Sequence, residues 1–106
     1  MKQNAVTRCL AVLAAAGLFC SGASAQPAQR IVSLGGTVTE IIYDLQMQDK
    51  LVADDQSSLY PEAATKLPRV GYYRAVPVEG VLALKPDLVL ASEQAGPPDA
   101  LKRLGD

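Results

Sequence analysis

The stretch Gly71-Tyr72-Tyr73-Arg74 sets two phenols next to a permanent cation, in a chain with four tyrosines, one phenylalanine and no tryptophan. A free phenol has a pKa of about 10 and is a poor anion at neutral pH. A neighbouring guanidinium and a ferric ion each favour the phenolate, and tyrosinate is one of the axial ligands that haem iron accepts. In extended backbone alternate side chains share a face, so Tyr72 and Arg74 are expected to point one way and Tyr73 the other. Arg74 then has two uses: it can hydrogen-bond the phenolate oxygen or neutralise a ligand carboxylate such as a propionate. A plain packing role beneath a loop fits the same residues, and side-chain chemistry alone leaves both readings open.

Other residue types narrow the field. The chain has no histidine, which removes the commonest general base and the commonest nitrogen ligand for metals. Ser33, Ser57, Ser58 and Ser92 therefore lack the partner of a conventional nucleophile and base pair. Asp54 and Asp55 have the chemistry of acid/base groups or oxygen ligands. Adjacent residues on a strand diverge, however, and the pair reads as solvated loop charges. "SLGGTVTE" carries a strand into glycines and a helix start, where free amides and the helix dipole favour anions. It lacks both Gly-x-Gly-x-x-Gly and Gly-Lys-Ser/Thr, so a tight strand-to-helix turn is the better reading. Ligands dock at the carboxyl edge of parallel sheets, which makes Gly35, Gly36 and Thr37 candidate cleft-lining residues.

The elements that position these residues follow from periodicity. "RIVSL" is a strand, and Val38, Ile41, Ile42 and Leu45 recur at the spacing of one helical face. Thr37 and Glu40 form a Thr-x-x-Glu capping box at the start of that helix. "LVADD" is a second strand. Pro61 and Pro68 punctuate a loop with one helical turn near residues 62–66. Pro77 is suited to open a helix over "VEGVLALK", which Pro86 stops. "DLVLA" is a third strand, apolar enough to be buried on both faces. "DALKRLGD" is a last helix whose Lys102 and Arg103 suit its carboxyl end. The alternation predicts an α/β fold, a small parallel sheet flanked by helices with right-handed crossovers.

The segment before Gln26 reads differently. Lys2 and Arg8 precede an apolar run from Cys9 to Cys20, and Ala23-Ser24-Ala25 is a small-x-small cleavage pattern, so residues 1–25 are expected to be a signal peptide cut after Ala25. Phe19 is too bulky for a lipoprotein signal at Cys20. Residues 26–106 then contain no cysteine and carry 8 basic against 11 acidic residues, a net charge of −3. No basic run exists to hold nucleic acid. The expected product is a small exported domain, read as a partial chain because it stops at Asp106 as its last helix turns.

"RIVSLGGTVTEIIYDL", "LVADDQSSLYPEAATKLPRVGYYR" and "VEGVLALKPDLVLASEQAGPP" together resemble the amino-terminal lobe of the periplasmic haemin-binding proteins that serve ABC haem importers. These belong to the wider group of cobalamin and ferric-siderophore binding proteins. The resemblance implies a two-lobed fold joined by a rigid helix, with the second lobe absent here and ligand held between lobes. In its haem-binding members a Gly-Tyr-x-Arg motif supplies the iron ligand. Carried to this sequence, it implies Tyr72 as ligand, Arg74 as its helper, and Tyr73 and Gly71 beside them. It also implies that Glu79 docks on the membrane permease. The implied protein is a periplasmic monomer that accepts ferric haem downstream of an outer-membrane receptor and hands it to an inner-membrane permease dimer, with no catalysis. A ferric-siderophore or cobalamin binder is the nearest alternative, and a truncated exported α/β enzyme is the alternative of another class.

Overall fold

A computed structural model describes residues 26–106; the expected signal peptide lies outside the described residues. Three parallel strands form one sheet in the order β2-β1-β3: β1 is Ile31–Leu34, β2 Leu51–Ala53 and β3 Leu88–Ala91. Between them run helices α1 (Gly36–Asp44) and α2 (Val78–Ala83), and α3 (Pro98–Gly105) follows β3. Short 3-10 turns span Gln48–Lys50 and Glu62–Lys66. The predicted element order and parallel sheet are therefore present, including the single turn near residue 62. Among the described residues no helix is long and apolar enough to cross a membrane.

All four residues of β1 are buried, because the strand is central and both its faces are covered. Alternation along it separates the core in two. Val32 and Leu34 pack with Ala53, Val70, Val76, Val78, Val81 and Ala100, so α2 and α3 lie on that side. Ile31 packs with Ile42 and Leu51, which places α1 on the other. The chain entry is locked by Asp87, whose carboxylate accepts the Gln29 and Arg30 N–H groups at 2.8 and 2.9 Å. Those two amides hold its pKa below the ordinary carboxylate value.

Three local expectations change. Helix α1 buries Thr39 and Ile42, while Ile41 and Leu45 are 51% and 67% exposed. A hydroxyl tie displaces the apolar stripe from the centre of the buried face: Thr39 Oγ1 bonds Ser33 Oγ at 2.7 Å. The capping box also does not form. The helix begins at Gly36, Gly35 is its cap, and no side chain of the helix caps it. Instead, Ser57 Oγ accepts the Gly36 N–H at 2.8 Å from a distant loop. Finally, β3 is not buried on both faces. It bonds only β1 among the described strands, and Leu88 and Leu90 are 37% and 36% exposed.

Candidate functional site

The residues singled out by their chemistry gather at the carboxyl edge of the sheet, on the loops after β1, β2 and β3. Tyr72 to Ala75 form a reverse turn closed by the Ala75 N–H donating to Tyr72 O at 2.9 Å. Gly71 enters that turn at a φ of 96°, a left-handed conformation that favours glycine. Its carbonyl accepts the Gln56 N–H at 2.7 Å. At the centre of the turn Tyr73 is held on both sides of its backbone: its N–H donates to Asp55 Oδ2 at 2.9 Å and its carbonyl accepts the Gly96 N–H at 3.0 Å.

The turn overturns the expected facing of the side chains, since alternation holds only in extended backbone. Arg74 Nε donates to the Tyr73 hydroxyl at 3.0 Å, its carbon Cζ lies 5.4 Å from the Tyr73 ring centroid, and Nη2 donates to Gln94 Oε1 at 2.6 Å. Arg74 is therefore the partner of Tyr73. The hydrogen bond to Tyr73, then the two phenols' proximity, holds the guanidinium above its ordinary pKa and permanently charged. Tyr72 meets Tyr73 edge-on, with centroids 5.0 Å apart. It stays 42% exposed, and its hydroxyl takes no part in the bonds that brace the turn.

Beside this turn lies a cleft of about 480 Å³. Gly35, Gly36 and Thr37 line it together with Glu40, Ser57, Tyr73, Ser92 and Gln94. The fold thus brings the glycine turn and the Tyr-Tyr-Arg turn to one cleft, although Tyr72 itself is not among the lining residues. Glu79 is elsewhere, in the first turn of α2. Its own backbone N–H and Arg103 hold its pKa below the ordinary value, and the Glu79 carboxylate accepts a hydrogen bond from Arg103 on α3.

Asp54 and Asp55, expected to be solvated, are both wholly buried. They diverge, as neighbours on a strand do. Asp55 is saturated with hydrogen bonds, whereas both Asp54 oxygens lack one and the nearest cation, Arg69 Nε, stands 4.0 Å away. Burial pushes the Asp54 pKa up to about 6, opposed by Arg69 and reinforced by Asp55. Residue-type reasoning missed Asp55, Ser57 and Gln94 as parts of this edge. The run Asp-Gln-Ser-Ser, an acceptor followed by hydroxyls two and three positions on, is the signal that marks the first two.

A sequence profile of the family described as "Periplasmic binding protein" matches residues 31–104. The chain belongs to that family. Among its relatives, the vitamin B12-binding protein of Vibrio vulnificus (strain YJ016) is 41% identical over 87 residues, which is 82% of this chain and 32% of the relative. The vitamin B12-binding protein of Yersinia pestis (strain Pestoides F) is 45% identical over 80 residues, 76% of this chain and 29% of the relative. The chain thus spans less than a third of the length of these relatives. Among solved structures, a periplasmic heme binding protein from Pseudomonas aeruginosa aligns with a TM-score of 0.72 at 46% identity, over 74% of this chain and 28% of that one. The periplasmic vitamin B12 binding protein of Vibrio cholerae aligns with a TM-score of 0.69 at 43% identity, covering 74% and 31%. The three-stranded sheet and its helices match the amino-terminal lobe of these two-lobed family members.

Proposed function

We propose that the chain is the haem-binding lobe of a periplasmic solute-binding protein that captures ferric haem and passes it, chemically unchanged, to an inner-membrane ABC importer. The observation that carries this reading is the exposed Tyr72 phenol, free of the hydrogen bonds that hold its neighbours, standing beside the Arg74 cation. A Tyr72 phenolate formed on the metal would present an anionic oxygen to iron(III), an axial donor that ferric haem accepts. Tyr73, Arg74 and Gly71 form the shell that holds the ligand turn, while Gly35, Gly36 and Thr37 line the adjoining cleft. Exposed Leu59 and Tyr60 add apolar surface on the loop after β2. Glu79, exposed in the first turn of α2, is the proposed contact to the permease. Cleavage after Ala25 would deliver residues 26–106 to the periplasm.

Cobalamin is the second reading, favoured by relatives named for vitamin B12. The two differ at one atom, because corrin-bound cobalt has no need of the Tyr72 phenolate. Titration of the full chain with ferric haemin and with cyanocobalamin separates them. Haemin is expected to bind with a high-spin, tyrosinate-type absorbance. Tight cobalamin binding with no phenolate-to-iron charge-transfer band would replace the haem assignment.

A further inference from the structure

Asp55 is where three separated segments of the chain meet. Its Oδ1 accepts from the Gly35 N–H at 3.1 Å, the Ser57 hydroxyl at 2.9 Å and the Ser58 hydroxyl at 3.1 Å. Its Oδ2 accepts from the Ser57 hydroxyl at 3.0 Å and the Tyr73 N–H at 2.9 Å. A carboxylate only accepts, so it also orients the hydroxyls behind it. Ser58 donates to Asp55 and is 2.7 Å from Thr39 Oγ1, which is 2.7 Å from Ser33 Oγ. Ser57 turns its lone pair to the Gly36 N–H at 2.8 Å. One buried anion therefore joins the turn after β1, the start of α1 and the tyrosine turn.

We propose that Asp55 is the positioning residue of the ligand site: its carboxylate fixes the Tyr72–Arg74 turn against the Gly35–Gly36 turn and so sets where the ligand phenol stands relative to the cleft. This role rests on the reading of Tyr72 as haem ligand, but the tie between the two turns is a property of the unliganded chain.

Asparagine at this position discriminates, because it replaces one acceptor with a donor of the same size. Each oxygen takes one backbone amide that cannot reverse, Gly35 on Oδ1 and Tyr73 on Oδ2, whereas the serine hydroxyls can rotate. The amide NH2 of the variant therefore orphans one of these two N–H groups whichever position it takes, and the tie between the two turns is cut at one end. A lost charge-assisted bond leaves a donor unpaired.

The test uses amide hydrogen exchange on the unliganded full chain together with haemin titration. In folded Asp55→Asn, exchange of the Tyr73 or the Gly35 amide is expected to accelerate by about tenfold or more. The Val32 amide should keep its protection, haemin affinity should fall about tenfold and the charge-transfer band should shift. Unchanged protection of both Tyr73 and Gly35, with or without a change in affinity, overturns the proposal. If Asp55→Asn does not fold by circular dichroism, Asp55→Glu keeps the charge but moves the oxygens. It should speed exchange of at least one of the same two amides, and failure to do so also overturns the proposal. A wild-type chain that ignores haemin refutes the haem reading alone, since amide exchange still decides the role of Asp55.

Discussion

Arg74 Nε donates to the hydroxyl of its chain neighbour Tyr73 at 3.0 Å and not to that of Tyr72, whose ring centroid is 5.0 Å from that of Tyr73. The cation is spent on bracing one phenol, and the other is left facing solvent. This division of labour gives the adjacent tyrosines opposite expected responses to the same substitution.

Tyr72→Phe removes the only atom proposed to bond iron and should abolish the charge-transfer absorbance of the haemin complex. Tyr73→Phe keeps that atom, and it should retain the band with weaker binding. Arg74→Ala should lower haemin affinity by about 10–100-fold, as loss of a supporting partner does at metal sites. Absorbance titration of the three variants reads this directly; retention of the band in Tyr72→Phe with loss in Tyr73→Phe would move the ligand by one residue.

Asp54 makes the stability of the lobe depend on pH with a definite sign. Its folded pKa, about 6, is raised above the ordinary 3.8. Its contribution is therefore fully present below about pH 4 and is lost as pH rises through about 6, where a buried carboxyl without hydrogen bonds must ionise. The difference corresponds to about 3 kcal/mol. Denaturant unfolding of wild type and Asp54→Asn should show the variant gaining on the wild type by up to that amount between pH 4 and pH 7.5. Parallel curves would mean that Asp54 is solvated.

At Gly36 the backbone leaves no room for a side chain. A Cβ built there falls 2.5 Å from the Ser57 carbonyl oxygen, and the same loop supplies the hydroxyl that caps α1. Gly36→Ala should cost about 1–3 kcal/mol in chemical denaturation, the usual range for overpacking. The cleft is expected to widen with it, seen as weaker haemin binding. Gly105→Ala, with nothing within 4 Å, is the control.

Glu79 and Arg103 pair across the surface with side chains 78% and 59% exposed. Exposed pairs contribute little to folding, so Glu79→Gln should leave the unfolding midpoint and haemin affinity in place. Slower haem delivery to permease-containing vesicles is expected if the carboxylate is a docking group. An unchanged delivery rate would assign it to the Arg103 pair and the α2 dipole alone.

Local period and turn chemistry made much of this legible. The strand pattern of Ile31–Leu34 and the prolines at 77 and 86 are properties of short windows, and they marked the elements as they stand. The errors lie where distant segments decide. Ser57 takes over the capping of α1 because a loop 21 residues away folds onto Gly36, so Thr37 and Glu40 have no capping work. Asp54 and Asp55 read as loop charges until β2 and the tyrosine turn close over them. Tyr73 did not take the face opposite Tyr72 and Arg74, because residues 72–75 close a reverse turn. Alternation had assumed the chain would run straight.

The outer side of β3 has a consequence for handling the protein. An uncovered strand edge flanked by half-open leucines is a template on which another strand can add. Residues 26–106 prepared by themselves should therefore self-associate as concentration rises, through Leu88 and Leu90. A lysine at position 90 would blunt that growth without touching the carboxyl-edge loops.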